Sequence, residues 1–336
     1  MKIPRRHVAI RRLRPDRGPL LVAALATLVA AWPIPDAGAA GSGVLLRYGL
    51  KPGTGYQQAA SMTLDMVVDP SSLPPGLAPL VQSMASGMQQ QIEYTGLLEL
   101  KDRGADGVTP FGFKVVEAHG SFTRGGQKKE VPSVAAAASR PPLTGKFSAD
   151  GRRVTLDPAA AGDAGGTDHR REQLAQALPE LPEKALAVGE SFEAVVPMRL
   201  PTAGGHGDTA METRWVYTLR AVDGQHAAFD LRMVLPDASS ASLSNGRSLV
   251  VAGGARGTAD FDLKDGLFTR IALDAELDLT YGVPMPPGVT PPGAATPGAS
   301  SSNDGSPAVA PTPPVLTLKS KLTGPIRIEM GRQAAH

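Results

Sequence analysis

Cysteine is missing from all 336 residues of the chain. No disulfide can therefore form, and no cysteine is present to carry an N-terminal lipid anchor. Aromatic residues are also scarce, at 4% of the sequence. The fold must consequently depend on an ordinary apolar core that is filled mainly by Leu, Val, Ala and Met.

The apolar run over residues 20–32 is shorter than a bilayer requires. Seven basic residues precede it, and Ala37-Gly38-Ala39 supplies the small residues that a signal peptidase accepts. This order predicts a signal peptide over residues 1–39 and export to the periplasm or the extracellular space, with no integral membrane span after cleavage. An uncleaved membrane anchor is the alternative.

Excess positive charge is confined to this leader. It holds seven of the 34 Lys and Arg residues and two of the 32 Asp and Glu residues, so the remainder has 27 basic and 30 acidic residues. A broad nucleic-acid surface would need clustered, excess Lys and Arg. The composition therefore excludes nucleic acid as the expected partner.

Motifs that carry chemistry are missing too. The histidines have no His or Cys partner at metal-ligand spacing, and no nucleophile elbow, Ser-x-x-Lys pair or phosphate-binding loop occurs. The glycine-rich stretch 253–257 precedes a strand pattern rather than a helix and is interpreted as a turn. The sequence predicts no catalytic residue, no metal ligand and no cofactor, and a hydrolase without a recognisable motif remains an alternative.

What the sequence does contain is a series of hairpin turns. Asp-Gly occurs at Asp106, Asp150, Asp223 and Asp265, and Asp and Gly tolerate the positive φ angles of tight hairpins. Runs with period-2 alternation flank these turns. They predict strands over residues 44–50, 56–68, 92–101, 111–118, 143–148, 152–156, 191–197, 213–221, 227–235, 248–251, 257–263 and 268–281.

These patterns predict a mainly β fold for residues 40–281. We expect an antiparallel meander that forms a curved sheet or half-barrel, with one or two short helices packed on it. The helices are predicted over residues 75–89, where apolar residues follow helical spacing, and over residues 168–178, where Asp168 can cap the first turn. Residues 125–139 are ambiguous, and residues 135–138 within them fit either a helix or a loop.

A Pro-rich segment follows over residues 282–314, with ten of the 31 prolines and one charged residue. Such a composition predicts a disordered loop. Strand patterns resume over residues 315–331, which indicates that the chain returns to the sheet. The alternative is a linker to a separate C-terminal tail.

A curved sheet covered by a Met-bearing helix can enclose an apolar pocket, because Met side chains adapt to varied shapes. The same elements can equally pack as a dry core. An envelope protein that binds an apolar ligand, a lipid or a lipidated partner is the expected function, and a structural module that pairs with another envelope protein is the alternative. The residues expected to line the pocket are Met62, Leu64, Met66, Leu80, Met84, Met88, Tyr94, Trp215 and Tyr217.

Two segments carry a resemblance. The first is residues 46–56, which contain Tyr48, Lys51-Pro52-Gly53 and Tyr56. The second is residues 178–192, a Leu-Pro segment that ends Val-Gly-Glu-Ser-Phe. Both resemble segments of a group of exported bacterial β-rich proteins of unknown function. In that group the second segment usually ends Val-Gly-Asp-x-Trp, so Glu190 and Phe192 depart from it. The resemblance implies a β-rich envelope protein. The expected architecture is also distantly similar to periplasmic lipoprotein-carrier half-barrels that shelter acyl chains.

Overall fold

A computed structural model describes residues 43–72, 88–158, 169–200, 209–236, 239–242, 248–284 and 315–333. The predicted signal peptide, most of the predicted helix 75–89 and nearly all of the Pro-rich segment lie outside these residues. Within them, none of the helices is long and apolar enough to cross a membrane.

The described residues contain thirteen strands in one antiparallel sheet, which confirms the predicted fold class. Two helices accompany the sheet, α1 (Pro132–Ala135) and α2 (His169–Ala177). The strands are β1 (Gly55–Val68), β2 (Met88–Leu100), β3 (Thr109–Arg124), β4 (Gln127–Glu130), β5 (Leu143–Phe147), β6 (Val154–Leu156), β7 (Ser191–Leu200), β8 (Thr209–Asp223), β9 (His226–Val234), β10 (Ser239–Ser242), β11 (Ser248–Asp262), β12 (Leu267–Pro284) and β13 (Val315–Arg332).

The sheet consists of two meanders that meet in its middle. Its main path runs β6-β5-β3-β2-β1-β13-β12-β11-β9-β8-β7, with β4 paired to β3 and β10 paired to β11. The chain therefore moves outward from β1 to one edge, crosses to β7 at the other edge and returns inward. The last strand, β13, lies between β1 and β12, so residues 315–332 belong to the sheet rather than to a separate tail.

Period-2 alternation decides which face of the sheet is buried. On β12 the inward side chains of Ile271, Leu273 and Leu277 are buried, whereas Asp274 and Glu276 between them are exposed. One residue of slip would exchange the two sets, so this pattern specifies the register with β11 and β13. We call the buried, α2-contacting face the inner face.

The sheet is open but strongly curved. Tyr48 N donates to Gly151 O in the β5–β6 turn, and the next residue, Gly49, donates through its N to Gly266 O in the β11–β12 turn. On a flat sheet β5 and β12, which are five positions apart, would be separated by about 24 Å. Two consecutive residues can reach both turns only because the sheet bends around them.

We call residues 43–50 the strap. They were expected to form a first strand, and that expectation is wrong, because only Val44 makes a ladder contact, an isolated bridge to Leu186. Two further backbone groups of the strap, Tyr48 N and Gly49 N, donate to turns. Together with α2, whose Leu174 and Ala177 are buried, the strap closes one end of the curved sheet.

Two further predictions are wrong. Met88 and Gln89, expected at the end of a helix, begin β2 and pair with Met66 and Asp65. The glycine-rich stretch 253–257, expected as a turn, lies within β11, which continues through it without interruption. A side chain at Gly257 would collide with the backbone oxygen of Ala272, so glycine here permits close strand approach rather than reversal.

Candidate ligand-binding site

The two ends of the sheet differ in how they are closed. At one end lie the strap and the turns that it contacts. We call the other end the open end. There β1 finishes at Val68, β2 begins at Met88, and β12 and β13 meet at Pro284 and Val315. Four connections at this end, residues 73–87, 201–208, 243–247 and 285–314, lie outside the described residues, so the name refers only to the described strands.

Apolar side chains of the inner face are fully buried near the strap. Tyr56, Leu98 and Phe113 each have 0% exposure. Tyr48 packs edge-on against Phe147 with 5.5 Å between ring centroids, which fills the space under the strap. This end of the sheet is a packed core.

Towards the open end, the inner face stays apolar but becomes partly accessible. In β1, Ala60, Met62 and Met66 are half-buried, in contrast to Tyr56 and Gln58 nearer the strap. Half-buried apolar side chains on the inner face of neighbouring strands are Ile92, Tyr281, Leu318 and Ile326. Between them, Leu64, Leu249 and Leu322 stay buried. We call the partly accessible apolar surface of the inner face around Met62 and Met66 the hollow.

Five of the predicted pocket residues lie on the inner face of β1 and β2. Met62, Leu64 and Met66 lie along β1, and Met88 pairs directly with Met66. Tyr94 lies deeper, where its hydroxyl accepts a hydrogen bond of 2.8 Å from Nε2 of Gln58. Burial raises the pKa of Tyr94, so its hydroxyl stays protonated.

The remaining predicted residues divide into two groups. Trp215 and Tyr217 belong to a packed aromatic cluster, in which Tyr217 stacks on Phe192 with 4.7 Å between ring centroids. Their exposures of 3% and 0% place them in the dry core that the sequence left as an alternative. Leu80 and Met84 lie outside the described residues.

Sequence reasoning missed a second set of inner-face residues at the open end. Phe122, Arg124, Gln127 and Lys129 line a cleft of about 270 Å³ between β3 and β4. The two strands are joined by Gly125 and Gly126, with φ of 56° and 79°. A Gly-Gly step with both φ positive is a two-residue hairpin turn, and this signal was available in the sequence.

A larger cleft of about 340 Å³ lies beside the strap, but its charged groups are already engaged. Arg103 donates through Nε to Gly107 O and through Nη2 to Ala149 O, both at 2.7 Å. Hydrogen bonds from Ser148 and Arg152 lower the pKa of Asp150 well below its usual range. These contacts brace the β2–β3 and β5–β6 turns and leave no charged group for a ligand.

In the described part of the chain, no group of three or more His, Asp or Glu side chains could hold a metal ion. His119, on the outer face of β3, has acidic neighbours. Its Nε2 lies 2.9 Å from Oε1 of Glu117, and this hydrogen bond, with the charges of Glu117, Glu130 and Glu93, raises the pKa of His119.

Comparisons with known proteins supply no relative from which to transfer a role. No protein-family model matches the chain, and no curated protein matches it in sequence. The resemblance of residues 46–56 and 178–192 to exported β-rich proteins remains a prediction, and the site must be interpreted from its own geometry.

Proposed function

We propose that this protein is a non-enzymatic binding protein that shelters an apolar ligand, or the lipid chain of a partner, on the inner face at its open end. The observation that carries the proposal is the partial exposure of methionine side chains on that face. Met62 and Met66 of β1 stay partly exposed, whereas Tyr56 of the same strand is fully buried. Partly exposed apolar side chains in a concave surface are what an apolar ligand would cover.

The residue types favour a ligand of variable shape. Met62, Met66 and Met88 lie on neighbouring strands, and thioether side chains repack around different apolar shapes at small energetic cost. The buried end of the sheet offers a rigid support for this adaptable surface. The predicted leader supports placing the activity in the cell envelope, in the periplasm or outside the cell.

Binding of N-phenyl-1-naphthylamine, an uncharged dye that fluoresces in apolar surroundings, tests the proposal. We expect saturable binding to the wild-type protein and loss of most of it in Met66→Glu, because a carboxylate would lie in the hollow. The matched control is Val67→Glu. Val67 is 60% exposed on the opposite face and pairs with Lys321, so a carboxylate is tolerated there.

Circular dichroism establishes that both variants remain folded. Absence of saturable dye binding to the wild-type protein, or equal binding by folded Met66→Glu and Val67→Glu, would contradict a ligand site on the inner face.

A further inference from the structure

We propose that the ligand is an amphiphile with an anionic head, and that Arg124 and Lys129 of the β3–β4 hairpin bind this head. The inference rests on the proposed function and specifies its ligand class. It depends on the cleft that these two residues share with Phe122 and Gln127, at the margin of the apolar hollow.

Strand register places both cations on the inner face. Phe122 pairs with Lys129 and Arg124 pairs with Gln127, and directly paired residues share a face. Phe122 also pairs with Gln90, which pairs with Leu64 on the inner face of β1. Arg124 and Lys129 are diagonal neighbours, with Cα atoms about 7–8 Å apart, so their long side chains can reach one oxyanion.

The two cations are available for a ligand. Neither Arg124 nor Lys129 forms an ion pair with the residues that the structure describes, and both are exposed. An Arg fork and a Lys ammonium are the donors that bind carboxylate and phosphate groups most strongly. Two unpaired cations beside an apolar surface thus complement a ligand with an anionic end and an apolar end.

Charge is divided between the two faces of the same strands. Glu93, Glu117 and Glu130 surround His119 on the outer face, and Glu130 pairs with Ser121. Lys128, next in sequence to Lys129, lies on that outer face because it pairs with Thr123. The positive charge on the inner face is therefore a local feature of the cleft and not a general basic surface.

The inner face connects the two cations to the methionines of β1 through one aromatic and one polar side chain, Phe122 and Gln90. From Lys129 the inner face continues through Phe122 and Gln90 to Leu64 on three successive strands, a distance of about 14 Å. Met62 and Met66 flank Leu64 on the same face of β1. An extended alkyl chain whose head is bound at Arg124 and Lys129 would thus lie on the Met-lined hollow.

Competition against the dye used above tests this inference. Dodecanoate, dodecyl phosphate and uncharged dodecanol have the same alkyl chain and are compared below their micelle concentrations. We expect both anions to displace the dye at lower concentration than dodecanol does. The anion that binds more tightly shows whether the preferred head group is a carboxylate or a phosphate.

The variant Arg124→Gln/Lys129→Gln retains size and polarity but removes both charges. We expect it to lower the affinity for the two anions about five- to tenfold at low ionic strength. The effect should be smaller at high salt, since exposed charges are screened. Dodecanol should be unaffected. The matched control is Lys128→Gln, which removes one charge from the outer face of the same hairpin and should leave all three affinities unchanged.

The outcomes separate the two proposals. The anionic head is excluded, and the apolar site stands, if the dye binds but the anions compete no better than dodecanol. The same conclusion follows if Lys128→Gln lowers the affinity for the anions as much as the double variant does. If the dye and all three amphiphiles fail to bind, the proposed function itself is wrong.

Discussion

The hydroxyl of Tyr48 donates a hydrogen bond of 2.6 Å to the backbone oxygen of Pro179, a residue 131 positions later in the chain. Both groups are buried, and the bond joins the strap to the segment that leads from α2 to β7. The strap has almost no strand pairing, so contacts of this kind hold it across the end of the sheet. The contribution of the Tyr48 hydrogen bond to stability can be measured, because a second buried tyrosine, Tyr217, serves as a comparison.

We expect Tyr48→Phe to lower the free energy of unfolding by about 1–2 kcal/mol, because it leaves the buried oxygen of Pro179 without a donor. Tyr217 provides the control. Its ring is as deeply buried, but its hydroxyl has no hydrogen-bond partner among the described residues. Tyr217→Phe should therefore be neutral or slightly stabilising. Urea unfolding of the two variants measures the difference, and equal losses of stability would contradict the role of the Tyr48 bond.

The sequence predicts those parts of the fold whose interactions require a recognisable residue pattern. The alternation of Ile271, Leu273 and Leu277 with charged residues predicted β12 because a half-buried strand requires that period. The strap shows the same alternation, yet its backbone bonds to distant turns. Alternation reports burial of one face but does not identify the hydrogen-bond partner, so a strap and a strand look alike in sequence.

The site was only partly predictable for a related reason. Alternation predicted that Met62, Leu64 and Met66 share one face of a strand, as they do in β1. Met88 was predicted on a helix, but it lies in β2 and pairs with Met66. Arg124 and Lys129 were missed because charged residues near a hairpin turn usually face solvent. Only the register of β3 with β4 shows that Lys129 faces inward and Lys128 faces outward.

Alkaline pH should destabilise the folded protein through its buried tyrosines. Burial raises the pKa of Tyr48, Tyr94 and Tyr217 above the ordinary value of about 10. Below pH 10 both folded and unfolded states keep these protons, and the contribution to stability is complete. Above it the unfolded state loses protons first, so stability falls as pH rises.

The measurement follows phenolate absorbance and circular dichroism together during an alkaline titration. We expect Tyr48, Tyr94 and Tyr217 to ionise only as the β signal is lost. Ionisation of all the tyrosines while the β signal is still intact would show that these three rings are accessible to solvent in the folded state.

Gly257 provides a test of how closely the central strands approach one another. It lies on β11 between Leu231 of β9 and Leu273 of β12, and an added Cβ would collide with the backbone oxygen of Ala272. Its φ is not in the left-handed region, so the expected cost is purely steric. Because backbone of a central strand cannot move aside as a flexible side chain can, we expect Gly257→Ala to cost about 3 kcal/mol or more.

The matched control is Gly112→Ala on β3. Gly112 is also a strand residue without left-handed φ, but an added Cβ there meets no atom within 4 Å. Its substitution should change stability by less than about 1 kcal/mol, since the methyl group enters open space. Urea midpoints, or soluble yield if Gly257→Ala does not fold, compare the two. Equal stability of both variants would mean that β11 and β12 have room for a side chain at Gly257, and that the uninterrupted course of β11 does not depend on glycine at this position.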